Sequence, residues 1–411
     1  MTSDLANDEH GLLSPGHRRD PYAAYARLRR DAPVFYSEHW KGWLVTRHAD
    51  VSAAFRHPGL SANRMAAYGR ALPPPVLAQV EPLLRNVSHW ILMMDPPAQT
   101  RIRGLLAGAF TPRFIEQLRP RIRAMVDGLL DEVSSLPRFD LVLAVAQPLP
   151  VMVIGEMLGL PSEDYPVLKT WSDRLAAFLG MSALDPKIVA AAVQSVVELE
   201  GYFRGVIEAR RASPGEDLVS LLVGAHDDEG RLGEQELLSS CCALLFGGHE
   251  TTTNLIANGM LLLLQYPRQA AILRTHPERI AGAVDEVLRF ESPVQRMGRV
   301  TTTPVELGGT TTPAGQRVFM VMGSANRDPE SIPDPERFDV ERRDARHLSF
   351  GLGAHYCLGA ALGRLETELA IPALLERFPA LALPPDHDPG DDWLDNLTVR
   401  GLSRLPVLTG L

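Results

Sequence analysis

One cysteine, Cys357, stands in the run Phe350-Gly-Leu-Gly-Ala-His-Tyr-Cys-Leu-Gly359, a glycine-rich loop that leads into an alanine- and leucine-rich segment. Gly351, Gly353 and Gly359 allow tight and left-handed backbone and the close approach of a flat ligand. A thiol just ahead of a helix N-terminus has its thiolate favoured by the helix dipole and by exposed amides. That chemistry suits a metal ligand, and haem iron is one metal that accepts a cysteine thiolate. The plain alternative is a buried packing cysteine.

Two further groupings carry chemistry. In Phe246-Gly-Gly-His-Glu-Thr-Thr252, two adjacent glycines interrupt a long apolar helical pattern. Each costs roughly 1 kcal/mol relative to alanine inside a helix, so a close ligand or a local bulge is expected there. Glu250 and Thr251 follow, an acid and an alcohol able to manage a proton. The bland reading is a helix whose threonines bond back to its own carbonyls. In Glu286-Val-Leu-Arg289, acid and guanidinium sit three apart on one helix face. Arg342, in Phe338-Asp-Val-Glu-Arg342, is a third member. As a lone surface pair such groups contribute little.

These residues need a large helical frame, and the chain supplies one. Amphipathic periodicity predicts helices over 21–31, 97–135, 147–159, 162–179, 187–211, 233–265 and 277–291, and from Cys357 to about 377. Residues 33–37 and 42–46 read as a hairpin, and 298–322 as β-structure with turns at Gly308-Gly309 and Pro313-Ala-Gly315. Residues 63–90 read as a loop with a helical fragment, because Pro73, Pro74 and Pro75 exclude a helix interior. No repeat or linker divides the 411 residues, so one mostly helical domain over 1–411 with a smaller β-rich part is expected.

A net charge of −9 offers no basic excess for nucleic acid. The N-terminus has no basic and apolar regions of a signal peptide, and no run of 18 apolar residues occurs. Three cysteines, two of them adjacent (Cys241 and Cys242), point to a reduced compartment. A cytoplasmic protein is expected, with Cys241 and Cys242 as packing residues.

The cysteine loop resembles that of cytochromes P450 at Phe350, Gly351, Gly353, His355, Cys357, Leu358, Gly359 and Arg364. The Glu250-Thr251 pair, the Glu286–Arg289 motif and the runs 325–329 and 334–339 are similar to that family too. The resemblance implies a mainly α, α+β P450 fold and haem b with Cys357 as iron ligand. It implies an acid–alcohol pair in which Thr251 holds the dioxygen and Glu250 admits protons. Glu286, Arg289 and Arg342 become a structural cluster. Arg103, Arg299 and His355 are implied to hold the haem propionates, with Phe350, Gly351, Gly359, Leu244 and Gly248 against the haem. The family usually has His where this chain has Gln99, and Ala where it has Gly247. His249 is given no catalytic role.

By the same resemblance the substrate pocket is lined by residues 63–92 and 171–195, with Ala243, Leu244, Gly247 and Gly248 on the long helix, and with Val294, Gln295, Leu397 and Thr398. Most are apolar or small, which suits a lipophilic substrate. The implied activity is monooxygenation, C–H hydroxylation or epoxidation with O2, in tailoring a secondary metabolite such as a macrolide, other polyketide or terpenoid. Electrons would come from a ferredoxin and its reductase, docking near Arg101, Arg113 and Arg364. Two alternatives stand beside it. One is a peroxide-driven fatty-acid peroxygenase, against which Glu250-Thr251 argues. The other is a non-catalytic P450-like recruitment module, against which the retained Cys357, Thr251, Glu286 and Arg289 argue. No nucleic acid or membrane partner is expected.

Overall fold

The computed structural model describes residues 10–12, 14, 16–70, 72–180, 185–227, 230–396 and 398–410. Helix α1 (Tyr22–Asp31) leads into the expected hairpin, β1 (Val34–Ser37) and β2 (Gly42–Val45), paired Phe35 to Leu44. Helix α2 (His48–Arg56) and strand β3 (Leu60–Ser61) follow. Strands β7 (Met297–Thr301) and β10 (Arg317–Met320) join from far along the chain to complete a five-stranded sheet in the order β1-β2-β10-β7-β3. Only β2 and β10 run parallel. The sheet packs on its own small core, with Val45, Val51, Val318 and Met320 buried.

Among the described residues three short two-stranded pairs complete the β-structure. They are β4 (Arg138–Asp140) with β11 (Pro406–Leu408), β5 (His226–Asp227) with β6 (Gly230–Arg231), and β8 (Val305–Leu307) with β9 (Thr310–Thr312). Gly308 and Gly309 turn the last of these at φ of 51° and 78°, angles that an L side chain resists.

The larger body is helical. Helices α3 (Arg64–Arg70) and α4 (Pro74–Ser88) replace the loop expected over 63–90. Pro74 and Pro75 occupy the first turn of α4, where backbone N–H groups have no helical partner to lose. Pro82 lies inside α4 and forfeits one bond. The buried face of Val80, Leu83, Leu84 and Val87 offsets that loss, each large side chain contributing about 1.5–3 kcal/mol.

Helices α5 (Ala98–Ala107), α6 (Pro112–Gln117), α7 (Arg119–Val133), α8 (Pro148–Met157), α9 (Tyr165–Gly180), α10 (Pro186–Ala212) and α11 (Leu218–Gly224) then surround α12 (Glu234–Gln265). At 32 residues α12 is roughly 48 Å long. Its second half, from Leu255 to Leu263, is buried all round, as the centre of a large core requires. Helices α13 (Pro267–Thr275), α14 (Ile280–Phe290), α15 (Met322–Ala325) and α16 (Ala360–Arg377) close the body. Among the described residues no helix is long and apolar enough to cross a membrane.

Candidate active site

The loop that carries Cys357 hangs from a buried charge cluster. Glu286 and Arg289 on α14 are both fully buried. Arg289 donates from Nε and Nη2 to the two Glu286 oxygens, at 2.7 and 2.8 Å. Arg342 Nε lies 3.0 Å from Glu286 Oε2, so the predicted three-membered cluster forms. The remaining donors are not wasted. Arg289 donates to the carbonyls of Asn326, Pro335 and Arg337, and Asp339 N–H donates to Glu286. A buried ion pair is tolerable only when its spare groups are satisfied in this way. The segment 326–342 is thereby wrapped on α14.

From there the order passes to the cysteine. Asn326 accepts from Leu348 N–H at 2.7 Å and donates to Ser349 Oγ at 2.9 Å. Ser349 Oγ donates in turn to Leu288 O on α14. Cys357 N–H donates to Phe350 O at 2.8 Å, closing the loop. Gly351 and Gly353 take φ of 68° and 70° within it. Arg364 lies over the Phe350 ring at 4.5 Å. On the other side Gln99, itself buried, donates Nε2 to Ala354 O at 2.8 Å. Gln99 therefore holds the loop through its backbone.

Cys357 is accessible by surface area, while enclosure by protein pushes its thiol pKa up. The two observations agree if its free side opens inward. The Gly359 amide and the charges of Arg103 and Arg364 oppose that rise. One amide and two positive charges are what favours a thiolate.

Helix α12 presents a matching stripe. Ala243, Leu244, Gly247, Gly248 and Thr251 keep accessible surface on a helix otherwise mostly buried. Their spacing of three and four residues puts them on one face. The Gly363 position of α16 would bring a Cβ within 3.3 Å of Thr252 Oγ1, so the helix after the cysteine loop rests on this stretch. The two glycines differ. A Cβ on Gly248 would meet Ile154 Cγ1 of α8 at 2.7 Å, whereas a Cβ on Gly247 would meet nothing within 4 Å. Gly248 thus serves helix packing, and Gly247 leaves the open space. Helix α12 runs unbroken through both.

Glu250 borders the stripe, seven residues on from Ala243, and its carboxylate joins a polar group formed with Asp173 of α9. Burial raises its carboxyl pKa, and the positive charge of His249 and the nearby Asn254, one turn on, work against that rise. Asp173 of α9 pairs with Lys169 and lies 3.7 Å from His249 Nε2. Burial pushes the Asp173 carboxyl up, but His249 and Lys169 outweigh it and hold the group below the ordinary range. His249 turns its other nitrogen to Leu245 O at 3.0 Å, so its ring is used in holding α12 to α9. Asp173 and Lys169 have no local sequence signal, because α9 and α12 meet only in the fold.

The propionate residues expected from sequence do converge. Arg299 is buried and donates only to the neighbouring carbonyl of Gly298 among the described residues. Burial pulls its guanidinium down to about 10. His355 is lowered to about 4, first by burial and then by the charges of Arg299, Arg103 and Arg64. Arg64, at the start of α3, is a member sequence reasoning did not name. Among the described residues no carboxylate forms an ion pair with Arg64, Arg103 or Arg299. Asp95 lies near enough to be felt, and it is engaged by Ser61 Oγ and the Ala62 amide. Enclosed cations without anions are costly, so the donor set calls for an anionic ligand. A haem, with two carboxylates and an iron that takes a thiolate, fits these residues.

The expected pocket residues divide. Val294 keeps accessible surface, as does Thr398. Gln295 is buried and turned the other way, donating to Ser292 O at 2.8 Å and toward Tyr22 Oη at 3.4 Å. Neighbours on extended backbone point to opposite sides, so Gln295 does not line the pocket beside Val294. Leu397 lies outside the described residues. Phe178 near the end of α9 meets Tyr68 of α3 edge-on, and Gly180 abuts Asn396. Of the arginines expected to meet a partner, Arg113 is exposed, Arg364 is tied to Asp285, and Arg101 is largely buried and paired with Glu236. Arg101 therefore offers no free surface charge.

The family model described as Cytochrome P450 matches residues 168–398. The chain is 42% identical to cytochrome P450 monooxygenase PikC of Streptomyces venezuelae, over 97% of this chain and 93% of that one. It is 38% identical to 6-deoxyerythronolide B hydroxylase of Saccharopolyspora erythraea, over 96% and 98%. Among solved structures, P450BioI in complex with a hexadec-9Z-enoic acid ligated acyl carrier protein superposes with a TM-score of 0.89. The identity there is 34%, covering 96% of this chain and 100% of that one.

Proposed function

This chain belongs to the cytochrome P450 family and is a haem-thiolate monooxygenase, and on that premise we propose that it oxidises a macrolide or related polyketide in the bacterial cytoplasm. The observation that carries this reading is the pairing of two features. An accessible stripe of small and apolar residues on α12, ending in Thr251, accompanies an accessible Cys357 in a chain similar along its length to PikC and 6-deoxyerythronolide B hydroxylase.

The haem, taken as haem b, supplies activation of O2 and the oxidation itself. The protein's own residues do the rest, and residues 1–411 act as one domain. Cys357 provides the thiolate. Arg103, Arg299 and His355 hold the propionates. Phe350, Gly351, Gly359 and Leu244 bound the haem, whereas Gly248, expected there too, packs against Ile154. Ala243, Gly247, Val294 and Thr398 place the lipophilic substrate. Thr251 presents a hydroxyl on the same face, and Glu250, whose raised pKa brings proton exchange closer to neutral pH, passes protons inward from the Asp173–Lys169 side. Electrons arrive from a ferredoxin and its reductase, docking beside Arg113 and Arg364.

A titration of the ferric protein with macrolides, terpenoids, fatty acids and cyclic peptides tests this. A saturable low-spin to high-spin shift with macrolides or their aglycones is expected. A shift confined to fatty acids, with turnover faster on peroxide than on electron donors, would establish the peroxygenase reading instead. In Thr251→Ala, substrate binding persists while electrons are diverted to peroxide. Unchanged coupling would remove Thr251 and Glu250 from the proton path.

A further inference from the structure

Arg64 lies far from Arg103 and Arg299 in sequence, yet the fold brings it within electrostatic reach of Arg299, and all three act on His355. Arg64 keeps some accessible surface, while the protein around it is dense enough to pull its pKa down to about 9, first by burial and then by the charge of Arg299. A guanidinium in such a place normally has an acid. This one donates to Gly298 O at 3.1 Å and otherwise touches the sulfurs of Met93 and Met297, at 2.8 and 3.6 Å. Thioether sulfur is a weak acceptor, so among the described residues most of the five N–H donors of Arg64 lack a strong partner. A Cβ at Gly298 would fall 3.0 Å from Arg64 Nη1, so the glycine on β7 makes room for the guanidinium.

The charges around it do not balance within the protein. Among the described residues, Arg64, Arg103 and Arg299 set three positive charges against the single carboxylate of Asp95. Two remain, which is the charge that a group with two carboxylates cancels. We propose that Arg64 is a third guanidinium holding the haem propionates, taking up the charge-bearing role that Gln99 leaves open by bonding to Ala354 O. This rests on the haem-thiolate reading above. A substrate carboxylate is the other source of the same chemistry, and the experiment separates them.

Holo-enzyme is mixed with excess apomyoglobin and haem transfer is followed optically, for wild type, Arg64→Lys and Arg64→Gln. Each is loaded with haem and, separately, with haem dimethyl ester. Loss of one charge-assisted bond predicts that Arg64→Gln releases haem about tenfold faster, with Arg64→Lys between. With the ester all three proteins should release alike. Wild-type release from Arg64→Gln overturns the proposal, as does an equal penalty for haem and ester, which would mark a structural role only. If haem release is unchanged and the variant loses only its spin shift with a fatty acid and not with its methyl ester, the guanidinium serves substrate and the proposal falls. Should Arg64→Gln fail to fold, Arg64→Lys decides: its haem must leave faster than that of wild type while its ester leaves at the wild-type rate, and equal haem rates overturn the proposal. A wild-type protein that takes up no haem at all would instead sink the P450 reading itself.

Discussion

Gln99 donates its Nε2 hydrogen to the carbonyl of Ala354 at 2.8 Å, tying α5 to the loop of Cys357. The side chain is only 1% exposed, so it has no water to fall back on. Gln99→Ala removes the donor and leaves the Ala354 carbonyl without it. The expected cost is about 1–3 kcal/mol of stability, read as a lower unfolding midpoint in denaturant, with faster haem loss. A variant with an unchanged midpoint would mean that the loop is held without this bond.

The Glu286–Arg289 pair is fully buried, with bidentate geometry and a third cation in Arg342. Removing one partner strands the other. Arg289→Ala should cost about 3–5 kcal/mol, enough to yield little haem-loaded protein. Substituting the half-exposed Arg123–Asp127 pair on α7 should change stability by less than about 1 kcal/mol. Equal losses in the two variants, measured by thermal unfolding, would contradict the assignment of Glu286 and Arg289 as the keystone.

Glu366 on α16 is buried, and neither of its oxygens has a protein partner among the described residues. Burial alone raises its carboxyl pKa well above the ordinary value. For a carboxyl with a raised folded-state pKa, the folded form keeps its proton after the unfolded form has lost it. Its stability penalty therefore grows as pH rises above the unfolded value of about 4.3, up to the folded pKa. Glu366→Gln, neutral at every pH, should be the more stable protein near neutral pH, and its advantage should shrink as pH falls toward 4.3. Unfolding midpoints of the two proteins across that range check this. An advantage that grew on acidification would reverse the sign.

The paired glycines of α12 give opposite outcomes. Gly248→Ala drives a methyl into Ile154 and should destabilise by about 1–3 kcal/mol. Gly247→Ala meets nothing and gains helix propensity, worth up to about 1 kcal/mol. Thermal unfolding of both variants distinguishes them. The Gly247→Ala protein should also show weakened spin shifts with large substrates, since its methyl enters the open space.

Much of the site was legible because it is local. The cysteine loop, the Glu250-Thr251 pair and the Glu286–Arg289 spacing each lie within a turn or two of chain, and the structure pairs Glu286 with Arg289 and bonds Cys357 N–H to Phe350 O. What was not legible depends on contacts between distant segments. Arg64 reads as one more arginine in a proline-rich stretch until the sheet brings β7 and Arg299 beside it. Asp173 has meaning only once α9 lies on α12. Gln295 looked like a pocket residue beside Val294, but its amide is drawn to Ser292 and Tyr22. Pro73, Pro74 and Pro75 suggested a loop, whereas a helix start tolerates them, and the apolar face of α4 supplies the stabilisation that propensity lacks.

The central claim is that Cys357, held by Phe350 and flanked by the Gly359 amide, Arg103 and Arg364, gives its thiolate to haem iron. The most direct measurement is the carbon monoxide difference spectrum of the reduced, haem-loaded protein, for wild type and Cys357→Ser. Wild type should show the red-shifted band of a thiolate-ligated carbonyl, and Cys357→Ser, with haem retained, should lose it. Retention of that band in Cys357→Ser would contradict the account.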